Sequence, residues 1–386
     1  MKSEVFRIDA LAYGGDGVGR SGDGAVCFIS GALPGELVEA EITAVKKRFR
    51  RGRLLRVIEA SDARIEPECP YFASGTCPGC VYIHCTYEHE ILWKQRQLHD
   101  FLVRRGVLNP EALLEPFAVP QRFGLRNKLV MHSADGIRGY IGKDNQTLFQ
   151  VDKCLLAAPE INELLAATAP AGGREVFRFT VVDGALKVST GCDDLLTETL
   201  PPYGEFQVAP TGFFQTNPVV GSELIRRVIE VVRHGGLPRL VELYCGVGIF
   251  SIAAAEALPQ LQTAGVELDA GAIGAAKHNA ANHQVASRCR FAAGDAGKLL
   301  RQEGLLHDAV LLVDPPRSGL SRDAVAAILR VEPAILIYIS CAADTLVRDL
   351  EWLKAGNYTA ESAGLLDMFP GTAHFEVMTV LRRGEL

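Results

Sequence analysis

The sequence of 386 residues lacks any apolar run long enough to cross a bilayer, and its first ten residues, MKSEVFRIDA, lack a signal-peptide hydrophobic region. We therefore expect a cytoplasmic protein with no membrane partner, and a monomer by default. The chain also lacks an excess of basic charge, because its net charge is −6. That balance argues against wholesale coating of nucleic acid but permits a local basic patch. No internal repeat or low-complexity linker interrupts the chain.

Cysteine is plentiful, with ten residues, but a cytosolic chain is not expected to pair them in disulfides. Cys69, Cys77 and Cys80 form a C-x7-C-x2-C loop, and Cys154 lies further on. Four thiolates suit zinc or an iron–sulfur cluster, and spacing alone does not choose between them. A radical enzyme is disfavoured because its C-x3-C-x2-C loop is absent. Five others are interpreted as structural: Cys27, Cys85, Cys192, Cys245 and Cys289.

The first 61 residues alternate apolar and polar positions between glycine and proline turns, which predicts a small β-barrel of the OB type. Its last third is basic, either as a solvated strand face or as a nucleic-acid patch. The basic residues are Lys46, Lys47, Arg48, Arg50, Arg51, Arg53 and Arg56. This segment resembles a TRAM domain, an RNA-binding accessory barrel.

Two further parts are expected after the barrel. A helix is predicted over residues 86–106 and a mostly β segment over 120–205. We assign 62–85 and 118–208 to a central RNA-binding domain that carries the cysteine site. Residues 86–117 and 209–386 form the remaining domain.

The C-terminal part alternates short apolar strands with helices, which predicts a doubly wound α/β sheet of the Rossmann-like kind. ELYCGVGIF joins strand one to a helix, and Gly246 and Gly248 would let the backbone approach a ligand. Glu267 ends strand two, where it could accept from ribose hydroxyls, and Asp295 follows strand three near an adenine amine. The third glycine of a dinucleotide-binding turn is missing. The shorter form resembles the class I methyltransferase motif, which holds S-adenosylmethionine.

Strand four ends in Asp314 and strand five in Cys341, so both point at the same crevice. A thiolate that adds to C6 of uracil makes C5 nucleophilic towards a methyl sulfonium, and a base must then remove the C5 proton. Cys341 is therefore a candidate nucleophile, although many strand cysteines are buried core thiols. Of Asp367, His374 and Glu376, we choose Glu376 as the base, because it begins the last strand.

The motifs GFFQTN, ELYCGVGIF, VELD, GDA, VDPPRSGL, YISC and DMFPGTAHFE together resemble the RNA uridine-5 methyltransferases, over nearly the whole chain. The resemblance implies that Cys341 is the nucleophile and Glu376 the base. It implies that Phe213 stacks near a flipped uracil, unless it is an ordinary core aromatic. The resemblance further implies a donor and base pocket lined by Gln215, Tyr244, Glu267 and Asp314.

The same resemblance favours a [4Fe-4S] cluster over zinc, and the C-x7-C interval is similar to the branch that modifies large-subunit ribosomal RNA. We expect 23S ribosomal RNA as substrate, with the T-loop uridine of transfer RNA as the alternative. Two residues depart from the family pattern: Ala342 and Ile249. A different class stays open, an RNA-binding module with a vestigial donor site. Candidates for phosphate contacts, which could equally be solvated charges, are Arg126, Lys128, Arg122 and Arg138.

Overall fold

The computed structural model describes residues 3–180, 184–188, 194–301 and 306–384. Its first part is a closed barrel in which every neighbouring pair is antiparallel except β3 and β5. The strands are β1 (Ser3–Leu11), β2 (Gly17–Arg20), β3 (Val26–Ser30), β4 (Leu37–Val45) and β5 (Arg50–Glu59). Inward-facing Phe6, Ile8, Ile29 and Val38 fill it. Alternation along each strand thus produces the predicted barrel, because side chains one residue apart point to opposite faces.

The basic strand β5 is largely neutralised by acidic residues. Arg53 pairs with Glu41 and Arg56 with Glu39, both across the neighbouring strand β4. Arg50 and Arg51 pair with acids on other parts of the barrel. Arg51, Arg53 and Arg56 are exposed although they are paired, and the tip between β4 and β5 adds exposed cations with no ion pair among the described residues: Lys46, Lys47 and Arg48. The basic stretch therefore divides into a paired strand and an exposed tip.

The segment after the barrel contains α1 (Pro70–Ala73), α2 (Tyr87–Leu102) and a 3-10 turn at Pro110–Ala112. Helix α2 ends before the predicted residue 106, at a turn in which Gly106 takes a positive φ of 68°. Its buried face includes Glu90 and Lys94, whereas Leu92 is 42% exposed. Ile91, Leu98 and Leu102 are buried, as the apolar spacing indicates. The buried charges could not be predicted, because their partners Asp367 and Arg122 lie far along the chain.

The central part is built on two sheets and a helix. Its elements are β6 (Lys128–Ala134), β7 (Ile137–Ile141), β8 (Leu148–Gln150), α3 (Pro159–Ala167), β9 (Gly173–Thr180), β10 (Gly184–Val188), β11 (Leu196–Thr199) and β12 (Glu205–Val208). The order in the larger sheet is β10-β9-β6-β7-β8, and β11 pairs with β12. The predicted phosphate contacts of Arg122 and Arg138 are wrong. Both are buried, paired with Glu90 and Glu175 respectively, and donate to backbone carbonyls.

The C-terminal part is a seven-stranded sheet of order β15-β14-β13-β16-β17-β19-β18 with helices between the strands. Its elements are α4 (Pro218–Gly235), β13 (Arg239–Leu243), α5 (Ile249–Ala257), β14 (Gln262–Glu267), α6 (Ala270–Asn282), β15 (Cys289–Ala293), α7 (Ala296–Leu300), β16 (Ala309–Val313), α8 (Arg322–Val331), β17 (Ile335–Ser340), α9 (Ala343–Lys354), β18 (Tyr358–Leu366) and β19 (Glu376–Arg383). The first five strands are parallel and β19 is antiparallel to its neighbours. The predicted doubly wound fold is confirmed.

Strand order reverses between β13 and β16, so a crevice opens at the carboxyl ends of these strands. Residues 86–117 pack on this part, because Leu98 and Leu102 of α2 belong to its core and Phe117 bridges to Leu366. These contacts support the proposed division of the chain, with 86–117 joined to the C-terminal domain. Within the described ranges, no helix is both long and apolar enough to span a membrane.

Candidate active site

The glycine turn between β13 and α5 is shaped for close approach of a ligand. Tyr244, Gly246 and Gly248 have φ values of 65°, 51° and 83°. A Cβ on Gly246 would meet no atom within 4 Å, whereas one on Gly248 would lie 2.8 Å from the ring of Phe291. Open space above Gly246 and close packing behind Gly248 are what a backbone cradle for a ligand requires.

Acidic side chains surround this turn. Glu267 ends β14 and accepts a hydrogen bond from the N–H of Gly246 at 3.2 Å. Asp295 begins α7, where its carboxylate accepts from the N–H of Lys298. Burial raises the pKa of Tyr244, and the charges of Asp295 and Glu267 raise it further. The structure therefore brings Tyr244, Glu267 and Asp295 together around the glycine turn.

Glu242 was not singled out from the sequence, although a lone carboxylate in an apolar strand was a usable signal. It is 1% exposed and accepts a hydrogen bond from the N–H of Ser251 at 3.0 Å, as well as one from the Ser251 hydroxyl. Burial raises its pKa to about 8. Glu242 thus ties the strand before the glycine turn to the first turn of α5.

The carboxyl ends of β16, β17 and the start of β19 form the reactive part of the crevice. Ser340 pairs with Val377, so the antiparallel register carries Cys341 beside Glu376. Burial raises the pKa of the Cys341 thiol to about 11, and Glu376 and Asp314 add to the shift, whereas Arg317 opposes it. Cys341, Glu376 and Asp314 therefore lie close together at this edge of the sheet, with Arg317 as a cationic neighbour.

The carboxyl groups in this pocket hold protons tightly. Burial raises the pKa of Glu376 to about 8, with Asp314 raising it and Arg317 lowering it. Burial also raises the pKa of Asp314 to about 7. Glu376 Oε2 is buried without a hydrogen-bond partner among the residues that the structure describes. An unpartnered oxygen of this kind is suited to a proton of a bound substrate.

The two alternatives for the base have other surroundings. Asp367 is fully buried and accepts hydrogen bonds from Tyr87 at 2.8 Å and Lys94 at 2.7 Å. Burial, with Arg317 next, lowers the pKa of His374 to about 4, so its ring is neutral at neutral pH. The hydrogen bonds from Tyr87 and Lys94 point to a positioning role for Asp367. Glu376, with an unpartnered oxygen among the described residues, is the better candidate for the base.

The loop of residues 209–217 carries two adjacent phenylalanines that differ in their exposure to solvent. Phe213 is 69% exposed, whereas Phe214 is buried. Gln215 is also buried, beside Gly221 of α4. Exposure of a phenylalanine next to a buried one suits stacking on a base rather than core packing.

Lys128 and Arg178 hold that loop through hydrogen bonds to its backbone carbonyls. Lys128 Nζ donates to the carbonyls of Thr211 and Gly212, and Arg178 also donates to Gly212. Burial, followed by Arg178, lowers the pKa of Lys128 to about 8. Because its donors are used on carbonyls here, contact of Lys128 with phosphate stays a prediction.

The four cysteines singled out from spacing line one cavity of about 30 Å³: Cys69, Cys77, Cys80 and Cys154. Burial raises the pKa of Cys80 to about 12, and Cys154 adds to the shift, whereas Arg126 lowers it. Among the described residues, no three such side chains are placed to hold a single metal ion. Arg126 thus lies at the cysteine cavity, and its contact with RNA stays a prediction.

The remaining cysteines that the structure describes fit their structural interpretation. Buried thiols are found at Cys27, Cys85, Cys245 and Cys289. Cys192 lies outside the described residues. Ala342 stands at the start of α9 without a side-chain cap, and Ile249 is part of the core.

A seven-stranded sheet with this order, a glycine turn after its central strand and a cysteine at the crevice define a class I methyltransferase. Two family models match: tRNA (Uracil-5-)-methyltransferase over residues 194–384 and TRAM domain over residues 7–55. The chain belongs to the RNA uracil-5 methyltransferase family.

Curated relatives match along nearly their whole length. The 23S rRNA (uracil(1939)-C(5))-methyltransferase RlmD of Xanthomonas oryzae pv. oryzae is 31% identical, with 97% of this chain and 96% of the relative covered. RlmD of Stenotrophomonas maltophilia is 30% identical over 98% of this chain and 97% of the relative. The crystal structure of Pyrococcus abyssi tRNA (uracil-54, C5)-methyltransferase in complex with S-adenosyl-L-homocysteine matches with a TM-score of 0.75. It is 21% identical, covers 98% of this chain and 100% of its own, and shows the shared fold.

Proposed function

We propose that this enzyme transfers a methyl group from S-adenosylmethionine to C5 of a uridine in 23S ribosomal RNA through a covalent adduct on Cys341. The observation that carries the proposal is the juxtaposition of partly buried Cys341 and buried Glu376 at the carboxyl end of the sheet. The ribosomal substrate is supported by relatives named for 23S rRNA, which match over the full chain.

The donor site fits S-adenosylmethionine by its shape and its acids. The space above Gly246 is open, and Glu267 and Asp295 stand where ribose hydroxyls and an adenine amine would meet them. Tyr244, Gln215 and Asp314 complete the proposed lining. When bound, S-adenosylmethionine supplies an electrophilic methyl group on a sulfonium.

The chain's own residues carry the remaining steps. The Cys341 sulfur bonds to C6 of the uracil, and the ring electrons that this addition releases make C5 nucleophilic. After C5 has gained the methyl group, Glu376 takes the C5 proton, and the C6–sulfur bond breaks to return the thiolate. Exposed Phe213 would stack on the flipped base.

The cysteine cavity is proposed to hold a [4Fe-4S] cluster rather than zinc. Zinc would draw four sulfurs to about 2.3 Å from one point. The four sulfurs here line one cavity, a donor set that either metal group could use, and the resemblance to the ribosomal branch favours the cluster. A four-cysteine set around a volume suits a cluster. We assign it a structural role, which is to shape the central domain or to present it to RNA.

The test uses the protein with RNA that carries 5-fluorouridine, because fluorine at C5 cannot leave as a proton. With S-adenosylmethionine present, we expect a denaturation-resistant adduct on 23S rRNA transcripts and none with Cys341→Ala. An adduct on transfer RNA alone would move the substrate to the T-loop uridine. The absence of any adduct, in protein shown to bind the donor, would favour an RNA-binding module with a vestigial donor site. Cytoplasmic location and a monomeric state stay predictions.

A further inference from the structure

The turn between β1 and β2 projects from the barrel into the C-terminal part of the molecule. Gln97 of α2 donates from one amide group to the carbonyl of Ala12 at 3.0 Å and to the hydroxyl of Tyr82 at 2.9 Å. A Cβ on Gly15 would lie 2.8 Å from Val81, the residue after Cys80. The turn is therefore enclosed by helix α2 on one side and the cysteine loop on the other.

Tyr13 lies at the apex of this turn, and its ring packs on two phenylalanines from the methyltransferase part. It contacts Phe101 edge to face, with centroids 5.0 Å apart, and Phe375 in the same manner at 6.1 Å. Phe375 is 2% exposed and immediately precedes Glu376. The barrel thus supplies part of the wall that fixes the strand start bearing the base.

The hydroxyl of Tyr13 lies at the turn that bears the nucleophile. The backbone N–H of Ala343, the first residue of α9, favours the ionised form of Tyr13, but burial and Asp344 outweigh it and raise its pKa. Cys341 and Arg317 also lie close enough to influence this group. Tyr13 of the barrel therefore lies beside both the segment that bears Glu376 and the segment that follows Cys341.

We propose that Tyr13 is a positioning residue, which holds the Phe375–Glu376 strand start and the Cys341–Ala343 turn in register when the barrel docks. The inference rests on the proposed function, and it gives the barrel a part in assembling the catalytic pair in addition to RNA binding. The edge-to-face contact with Phe375 fixes the first segment against the barrel turn, and the Tyr13 hydroxyl lies near the second segment.

The first experiment measures adduct formation in a single turnover with saturating 5-fluorouridine RNA, together with the RNA dissociation constant. We expect Tyr13→Phe, which keeps the ring and its contacts with Phe101 and Phe375, to leave the rate of the adduct step near the wild-type value. Tyr13→Ala should slow it about 10- to 100-fold through misplacement of the pair. Tyr203→Phe, a partly buried tyrosine remote from the crevice, is the matched control. A loss of RNA affinity with an unchanged rate at saturation would overturn the inference, as would unchanged rates in both variants.

A second readout needs no RNA. Alkylation of Cys341 by iodoacetamide is followed by peptide mass spectrometry across a pH series, since the thiolate is the reactive form. Without the Tyr13 ring, the thiol loses part of its burial, so Tyr13→Ala should react severalfold faster and at lower pH, while Tyr13→Phe stays near the wild type. Identical pH profiles in all three proteins would overturn the inference. If the alkylation profile changes in Tyr13→Ala while the wild type forms no RNA adduct, the positioning role is supported and the proposed function is refuted.

Discussion

At the scale of single residues, the catalytic pocket is a group of acids that burial keeps protonated. The pKa of Glu376 is raised to about 8 and that of Cys341 to about 11, in both cases chiefly by burial. Arg317 lowers the pKa of both groups, which favours their ionised forms near neutral pH. Burial disfavours the ionised forms that the chemistry needs, so ionising these groups costs stability.

The first prediction concerns Glu376→Gln. An unfolded Glu376 loses its proton near pH 4.5 and the folded one near 8. The folded state therefore binds more protons between these values, and stability falls as pH rises through this window. Glutamine removes the charge, so the variant should be more stable than the wild type at pH 8.5, by ~1–3 kcal/mol.

Thermal or urea unfolding at pH 5 and pH 8.5 measures this difference, which should shrink at the lower pH. The same variant should trap methylated adduct and lose turnover, because the C5 proton has no acceptor. For the wild type, release of product should accelerate as pH rises towards 8. Equal stability at both pH values, or normal turnover by the variant, would contradict the assignment of Glu376 as a buried base.

At the scale of elements, helix α2 is held to the loop before β19 by buried charges. Lys94 is fully buried and donates to Glu90 at 2.6 Å and to Asp367 at 2.7 Å. Glu90 also accepts from the backbone N–H of Gly371 at 2.7 Å. The carbonyl of Gly371 in turn accepts from Val81, so the helix, the cysteine loop and the approach to β19 meet at one residue.

The second prediction is that Lys94→Met destabilises the protein by about 3–5 kcal/mol, because buried Asp367 loses its counter-charge and Glu90 loses one of two, keeping Arg122. Lys277→Met is the matched control, since Lys277 is exposed on α6 and its loss should change stability by less than about 0.5 kcal/mol. Urea unfolding of both variants provides the comparison. Similar stabilities for the two would show that the buried network contributes little.

The third prediction concerns the cysteine cavity, which α1, β7 and the segment before α3 surround. Cys154→Ser should remove most of the bound iron and inorganic sulfide, because one of four ligands is lost. Cys27→Ser, which changes a buried barrel thiol, should retain both. Metal and sulfide analysis of anaerobically purified protein decides the matter. One zinc and no sulfide in the wild type would replace the cluster by zinc.

At the scale of the whole molecule, RNA must reach a crevice whose walls come from distant parts of the chain. The barrel's charged strand is mostly neutralised by ion pairs, whereas Lys46, Lys47 and Arg48 at the tip are exposed and have no ion pair among the described residues. A chain with a net charge of −6 can bind RNA only through such local patches. The tip, rather than the strand face, is therefore the expected backbone contact of the barrel.

The fourth prediction follows from this division. Replacing Lys46, Lys47 and Arg48 together by alanine should weaken RNA binding and lower the slope of log affinity against log salt by about 2–3. Arg53→Ala, which removes a paired arginine, should change that slope by less than about 1 because Glu41 already neutralises it. Filter binding over a salt series measures both. A larger effect of Arg53→Ala would place the RNA on the strand face.

Local sequence was sufficient for the sheet, the glycine turn and the pairing of Cys341 with Glu376, because strand ends in a doubly wound sheet must share one crevice. It was also sufficient to group the four cysteines, which line one cavity. It failed for the buried Glu90 and Lys94 of α2 and for Arg122 and Arg138, since a charge pattern does not reveal that its partners are buried with it. The approach of Tyr13 to Phe375 belongs to tertiary structure alone. Residues more than 300 positions apart meet only when barrel and sheet dock, and no periodicity along the chain records that contact.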